Sequence, residues 1–342
     1  MSAVGAATPR GRLADLAAYA GVSEATVSRV LNDKPGVATG TRQTVLTALD
    51  VLGYERPSKL RRSSAGLIGL VVPELTNPVF PMLAQIVETQ LAGAGYTPVL
   101  CTQTPGGVHE DEYVQMLLDR GVAGIVFVSG QHADTRASAD RYAALRDRGL
   151  PMVLINGYRD DVDATFVSHD DRAAMQLAVR HLRDLGHTRI GFATGPSRYV
   201  PVERRAAAFR ELMADLPVDV DELISTTLFT VEGGAAAGKQ LIEAGATAII
   251  AGSDVMALGV LRSAQQLGLS VPSELSVIGS DDVPFVGFVD PPLTTLQMNV
   301  NAMAEVAVGA VLGEIAGEEV EHREYLFAPE LILRGSTAAP PA

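Results

Sequence analysis

The feature that most constrains this chain is an alternation. From residue 67 to residue 279, short apolar runs recur between longer stretches of helical periodicity. The runs fall at 67–72, 97–101, 124–128, 152–155, 164–167, 189–193, 223–228, 246–250 and 275–279. Helical patterns lie between them at 82–93, 111–120, 172–185, 203–214, 234–244 and 255–267. Such β-α-β succession predicts an α/β body of parallel sheets with right-handed crossovers. In sheets of this kind ligands bind beyond the carboxyl ends of the strands. Those ends are polar here: Pro73-Glu-Leu-Thr-Asn-Pro-Val-Phe80, Asn156-Gly-Tyr158, Thr194-Gly-Pro-Ser-Arg198, Gly252-Ser-Asp254 and Gly279-Ser-Asp-Asp282. Carboxylates, amides, arginine and aromatic rings converging on one cleft suit a polyhydroxyl ligand. Asp and Arg bond vicinal hydroxyls in pairs, and aromatic faces pack on sugar C–H groups.

Composition narrows the class further. The 342 residues are 47% hydrophobic and 20% charged, as in ordinary globular domains, and the length allows two or three of them. The single cysteine, Cys101, excludes a disulfide framework or a cysteine-based zinc site within one chain. No apolar run of 18 residues is present to span a membrane, and residues 1–10 hold no apolar stretch of signal-peptide length. A cytoplasmic protein with no metal and no cofactor is expected.

The net charge of −13 is unevenly spread. Residues 1–62 carry nine basic and five acidic side chains, a net +4, which leaves −17 on the other 280. A small basic head on a large acidic body is the footprint of a nucleic-acid reader, although charge alone does not separate it from a chance run. Leu13, Leu16, Ala17 and Ala20 share one helix face, and Gly21-Val-Ser23 follows. Ser23 is placed to cap a second helix with Val27, Val30 and Leu31 inward and Glu24, Ala25, Ser28 and Arg29 outward. A third helix after Val37-Ala-Thr39 turns Val45, Leu49 and Leu52 inward. Two short helices joined by a tight turn and braced by a third form a helix-turn-helix, whose second helix enters the major groove.

The stretch Arg12-Leu-Ala-Asp-Leu-Ala-Ala-Tyr-Ala-Gly-Val-Ser-Glu-Ala-Thr-Val-Ser-Arg-Val-Leu-Asn32, with Thr41-Arg42 and Leu52-Gly-Tyr54, closely resembles the N-terminal pattern of LacI/GalR-type bacterial transcriptional regulators. The resemblance implies that Glu24, Ala25 and Arg29 read bases, with Ser23, Thr26, Ser28, Asn32 and Thr41 near phosphates. Arg29 has the fork geometry to grip guanine, Ala25 offers a methyl contact, and Glu24 either accepts from cytosine N4 or faces water. In that family the linker at 57–66 forms a hinge helix that wedges a leucine into the minor groove. Leu60 is the candidate wedge here; the linker is shorter than usual and lacks a second leucine. Arg61 and Arg62 would neutralise phosphate or read a narrow minor groove.

The resemblance continues through Gly69-Leu-Val-Val-Pro-Glu-Leu-Thr-Asn-Pro78, His181-Leu-Arg-Asp-Leu-Gly-His187, Ser253-Asp-Val-Met-Ala-Leu-Gly259, Val277-Ile-Gly-Ser-Asp-Asp282 and Pro291-Pro-Leu-Thr-Thr295. It implies a periplasmic-binding-protein-like body of two doubly wound lobes, with the chain crossing between them three times. The expected layout is a head at 10–56, a linker at 57–66 and a ligand-binding and dimerisation body at 67–337. Lobe one would take about 67–156 and 290–320, and lobe two about 157–289 and 321–337. The implied effector contacts are Asn77, Phe80, Ser129, Asn156, Arg205, Phe229, Ser253 and Asp281. The plainer alternative for Asp281 and Arg205 is a surface or lobe-packing pair, and for Phe80 and Phe229 core packing. The family often has asparagine where Ser253 stands, so reach is shorter there. The segments 96–107, 128–135 and 195–201 resemble actinobacterial maltose-operon repressors of this family, which implies an α-glucoside effector.

Two features point elsewhere. Gly233-Gly-Ala-Ala-Ala-Gly-Lys239 matches the start of a phosphate loop, but Gln240 stands where Ser or Thr would hold Mg²⁺. Asp281-Asp282 resembles a catalytic carboxylate pair, but chain neighbours point apart and no nucleophile motif accompanies them. An enzyme is therefore not expected. A sugar-binding transport component shares the body and lacks the head. The reading that fits both parts is a repressor. It would bind double-stranded, pseudo-palindromic operator DNA as a homodimer and leave it when a small sugar enters the cleft.

Overall fold

The computed structural model describes residues 9–32, 34–54, 64–103 and 108–341. The chain divides into two compact units, Met1–Ala65 and Gly66–Ala342. The first holds α1 (Pro9–Ala20), α2 (Glu24–Leu31) and α3 (Thr39–Val51). None exceeds 13 residues, too short to persist alone in water, so a shared core must hold them. That core is Leu16, Val27, Val30, Val45, Ala48 and Leu49, all fully buried. Gly21, with φ +62°, ends α1, and the Ser23 hydroxyl accepts the Thr26 N–H at 3.1 Å to start α2. Leu52 differs from expectation. It caps α3 and is exposed, because Gly53 (φ +68°) turns the chain so that Tyr54 packs back instead, donating to Asp15 at 2.7 Å.

The second unit holds two six-stranded sheets. The first sheet runs β11-β5-β4-β3-β1-β2 and the second β12-β10-β9-β8-β6-β7. In chain order the strands are β1 (Leu67–Val72), β2 (Thr97–Thr102), β3 (Gly124–Val128), β4 (Met152–Ile155), β5 (Thr165–His169), β6 (Ile190–Thr194), β7 (Ile224–Thr226), β8 (Ala248–Ala251), β9 (Ser276–Asp281), β10 (Thr294–Gln297), β11 (Glu324–Phe327) and β12 (Glu330–Ile332). Every pairing is parallel except β10 with β12. The inner strands are buried nearly throughout because helices cover both faces, and β1, β3, β4 and β8 are apolar along their length.

On the first sheet, α4 (Val79–Gly93) and α11 (Val300–Ala316) press Leu83, Val87, Met303 and Val311 onto Leu70, Val126 and Val153. The other face takes α5 (Glu110–Asp119) and α6 (Asp140–Asp147) through Leu117, Tyr142 and Leu145. The second sheet is sandwiched between α9 (Val231–Glu243) with α10 (Asp254–Gln266) and α7 (Asp171–Asp184) with α8 (Val200–Met213).

The nine expected strands are present; β10, β11, β12, α6 and α11 were not anticipated. The expected lobe edges are corrected. The chain passes between sheets at 169–171, 297–300 and 327–330, not near 156, 289 and 320. The polar stretch after β4 is a turn, with Asn156 at φ +62° and Gly157 at +127°, and it returns the chain to pair β5 with β4 in the same sheet. The β10 strand stays with β9, and β11 with β5.

The glycine run at 233–238 lies inside α9, where it has a packing role. A Cβ on Gly234 would strike the Met256 backbone, and one on Gly259 would strike Val231 O, so the glycines let α9 and α10 touch. It is not a phosphate loop.

Candidate functional site

In the helical unit, α2 presents Glu24, Ala25 and Arg29 to solvent, with Ser28 partly covered. Asn32 anchors the helix end by donating to Ser28 O at 2.8 Å, and Ser23 shares a 2.9 Å bond with the Thr26 hydroxyl. Arg29 lies back along the loop, its Nη2 donating to Pro35 O at 2.7 Å. A concavity of about 460 Å³ lies between the first turns of α2 and α3, lined by Ser23, Thr26, Arg29, Gly36, Ala38 and Thr41. Ala38 offers no side-chain acceptor to α3, so first-turn N–H groups of that helix stay open to an anion. Leu60, Arg61 and Arg62, and the linker at 57–63, lie outside the described residues.

In the two-sheet unit the site is built where strands of both sheets end. Ser129, Asn156, Asp281 and Asp282 all have positive φ (+44°, +62°, +117° and +55°), directly after β3 and β4 and at the end of β9. Non-glycine residues held this way cost about 1–3 kcal/mol each and gather at ligand clamps. Buried polar atoms collect at the same ends. Asn156 Oδ1, Ser168 Oγ, Thr194 Oγ1 and Asp281 Oδ2 have no hydrogen-bond partner among the described residues. Each such atom costs about 1–3 kcal/mol unless a ligand or solvent bonds it.

The expected contacts sit around these atoms in different states. Asn156 donates to Ser129 Oγ at 3.2 Å. Asn77 is buried just before α4, its Oδ1 accepting the Val79 N–H at 3.4 Å. Phe80 packs on the cores of both lobes, and the Phe229 ring lies over Gly195 and Gly252 at the ends of β6 and β8. Ser253 caps α10, accepting the Met256 N–H at 3.2 Å. A cavity of about 300 Å³ opens beside the second and third crossings, lined by Asp281, Asp282, Gln297, Asn299, Met82 and Val300 among others. That volume is at the small end for ligand pockets. Asp282 is held away by Arg334 at 2.6 Å and Gln297 at 2.6 Å.

Arg205 is more constrained than the sequence indicates. Its Nε bonds Asp171 at 2.7 Å, its Nη1 bonds Gly252 O at 3.2 Å and Ser280 Oγ at 3.4 Å, and its Nη2 lies 2.7 Å from His169 Nε2. The same Nε2 lies 3.3 Å from the Asp171 carboxylate. Four of the five guanidinium N–H groups thus tie together β5, β8, β9 and α7. Asp254, fully buried, accepts from Thr295 Oγ1 at 2.5 Å and from the Val283 N–H at 2.8 Å. Burial holds its carboxyl up at about 7. Burial and the Asp254 charge push Asp281 well above the usual carboxylate range, so the pair retains a proton near neutrality. His169, Asp171, Thr194 and Asp254 were not singled out from sequence. Only the run of polar residues at 168–171 signals the first two.

Comparison with known proteins agrees with this layout. A family model described as bacterial regulatory proteins, lacI family, matches residues 12–57, and a periplasmic binding protein-like domain matches 179–337. The chain is 57% identical over 335 residues to the HTH-type transcriptional regulator MalR of Streptomyces coelicolor, covering 96% of this chain and 97% of that one. Among solved structures it is similar to a transcriptional regulator CelR–cellobiose complex (TM-score 0.72, 27% identity, 95% and 99% of the two chains). It is also similar to the lac repressor dimer bound to operator and the anti-inducer ONPF (TM-score 0.69, 25% identity, 96% and 99%).

Proposed function

Because the chain belongs to the lacI family of bacterial regulatory proteins, we propose that this DNA-binding transcriptional regulator is a repressor released by a small α-glucoside of the maltose type. It is a regulator with a sugar-binding domain, not an enzyme. In this reading it works in the cytoplasm as a homodimer, and two heads read a pseudo-palindrome in adjacent major grooves. One short recognition helix contacts too little DNA for a tight site, which favours two copies. Glu24, Ala25 and Arg29 face bases. Ser23, Thr26, Ser28, Asn32 and Thr41 lie near phosphates, joined by Leu60, Arg61 and Arg62 from the linker.

The observation that carries the ligand reading is the set of unpaired buried polar atoms at strand ends of both sheets, Asn156 Oδ1, Ser168 Oγ, Thr194 Oγ1 and Asp281 Oδ2. Mixed donors and acceptors beside Phe80 and Phe229 suit a sugar, whose hydroxyls both give and take. Asn77, Ser129, Asn156, Ser253 and Asp281 would bond hydroxyls, and Arg205 would use its remaining N–H. The resemblance to maltose-operon repressors and the cellobiose bound by the CelR relative favour a disaccharide. A thermal-shift panel of maltose, cellobiose, glucose and ribose tests this. Maltose should raise the midpoint most, and Asp281→Asn should abolish the rise. A larger rise with ribose, or none with any sugar, overturns the assignment.

A further inference from the structure

Away from the three crossings, the loop after β3 meets the turn before α8. Arg198 Nε donates to the Asp134 carboxylate at 2.8 Å. The Thr135 N–H and hydroxyl both donate to Arg198 O, at 2.8 and 2.9 Å, and Asp134 forms an antiparallel bridge with Tyr199. One side of this contact belongs to the first sheet's lobe and the other to the second's. Both sides are preset. The Arg198 guanidinium lies over the Tyr199 ring, 4.6 Å from its centroid, and its Nη2 bonds the Tyr199 hydroxyl at 2.9 Å. Asp134 also accepts the Arg136 N–H at 2.9 Å.

The first-lobe loop is fixed from behind by a buried polar chain. Glu110, fully buried, accepts from the Gln131 N–H at 2.9 Å and from the Tyr142 hydroxyl at 2.6 Å. That hydroxyl in turn accepts the His132 N–H at 2.8 Å, and the His132 ring donates to Ile155 O at 3.1 Å. The loop therefore cannot drift to follow its partner if the lobes part.

Topology gives this contact leverage. The β3 strand is two strands in from β5, and β6 is three in from β10, the strands that lead into crossings. At about 4.8 Å per strand, those offsets are roughly 10 and 14 Å. Rotation about the crossings separates groups at that distance. By contrast Arg204 and Glu324, paired at 2.7 Å, join α8 to the edge strand β11 on the crossing side.

We propose that Asp134–Thr135 and Arg198–Tyr199 form the closing latch of the cleft and set the balance between open and closed lobes. Its consequence for the regulator rests on the sugar reading above: a weaker latch raises the sugar concentration needed for operator release. The latch itself is independent of that reading. Asp134 and Arg198 side chains are 22% and 37% exposed, so the pair is worth a part-screened ion pair, and its loss should shift the balance roughly two- to fivefold.

Spin labels at Gln115→Cys on α5 and Lys239→Cys on α9, both exposed, report lobe spacing in the full chain without any sugar. Asp134→Asn and Arg198→Ala should move the distance distribution toward longer values. The exchange Asp134→Arg with Arg198→Asp should recover part of the short distances that each reversal alone loses. Unchanged distributions in both single variants, or an exchange no better than the single reversals, overturn the latch. Operator release by maltose is then titrated in the same variants. A midpoint raised two- to fivefold supports the whole proposal. Longer distances with no response to maltose in wild type keep the latch and remove the sugar assignment.

Discussion

The two units solve recognition in opposite ways. In the helical unit the candidate contacts fall within residues 23–41, stand on one face, and are mostly exposed. Among the described residues Ser23, Thr26, Arg29 and Asn32 have bonded side chains, each with a neighbour a few residues away. In the two-sheet unit the contacts range from Asn77 to Asp281, come from both lobes, and are buried or half-buried, with Asn156 bonded to Ser129 and Arg205 to Asp171. In the proposed reading the first surface meets a partner that brings its own shape, while the second encloses a small molecule, so each contact there is also part of the structure. Function and stability should therefore separate in the head and remain joined in the body.

The largest expected effect tests that joining. Asp171→Ala leaves the Arg205 guanidinium buried beside a lost charge and should cost about 3–5 kcal/mol in urea unfolding. Arg205→Ala should behave alike, because it leaves the Asp171 carboxylate buried without its partner. A wild-type urea midpoint for Asp171→Ala would break the comparison. In the head, Arg29→Ala should lose about 1–3 kcal/mol of operator binding, with specificity relaxed at one position per half-site. Its unfolding midpoint should stay within about 0.5 kcal/mol of wild type. Ser23→Ala is the head's exception, because the hydroxyl caps α2, and it should lower stability by about 1 kcal/mol as read by thermal unfolding.

The smallest effect is a slope. Asp254 is held at about 7 in the folded chain against an ordinary 3.8, so between those values this group keeps a proton that it has lost in the unfolded chain. Its contribution to stability falls as pH rises through that window and levels off above it, against an opposite contribution from His132, His181 and His187, whose burial lowers their pKa values. Asp254→Asn keeps an oxygen for the Val283 N–H and gives its amide to the Thr295 hydroxyl, whose own proton can turn away. From pH 4.5 to 8 the urea midpoint of the variant, measured against wild type, should then move in the variant's favour as pH rises. An unchanged slope would place the retained proton elsewhere.

The same contrast explains what could be read in advance. The helix-turn-helix is local: Gly21, Ser23 and the spacing of Val27, Val30 and Leu31 specify it within eleven residues. The central strands are legible because burial on both faces leaves unbroken apolar runs. The α11 helix was missed because its apolar side chains wrap around most of its circumference, leaving no single stripe at helical spacing. The β10 strand hides two threonines in a buried interior, and β11 is a half-exposed edge. The lobe edges carry no compositional mark, since a turn and a crossing use the same polar residues. Individual contacts such as Asn156 and Asp281 were named through resemblance. The tie between Arg205 and Asp171 spans 34 positions and appears only once α7 and α8 are placed in space.

If a sugar in the body controls DNA binding by the head, operator anisotropy reads the coupling in one titration. A labelled pseudo-palindromic duplex is titrated with protein at fixed salt, with and without maltose, because phosphate contacts make affinity depend strongly on ionic strength. Each tenfold preference of the sugar for one lobe arrangement supplies about 1.4 kcal/mol of bias. Binding should be tight without maltose, fall a hundredfold or more with it, and not fall for Asp281→Asn. Operator affinity that maltose leaves unchanged in wild type, or strengthens, would rule out release by this sugar.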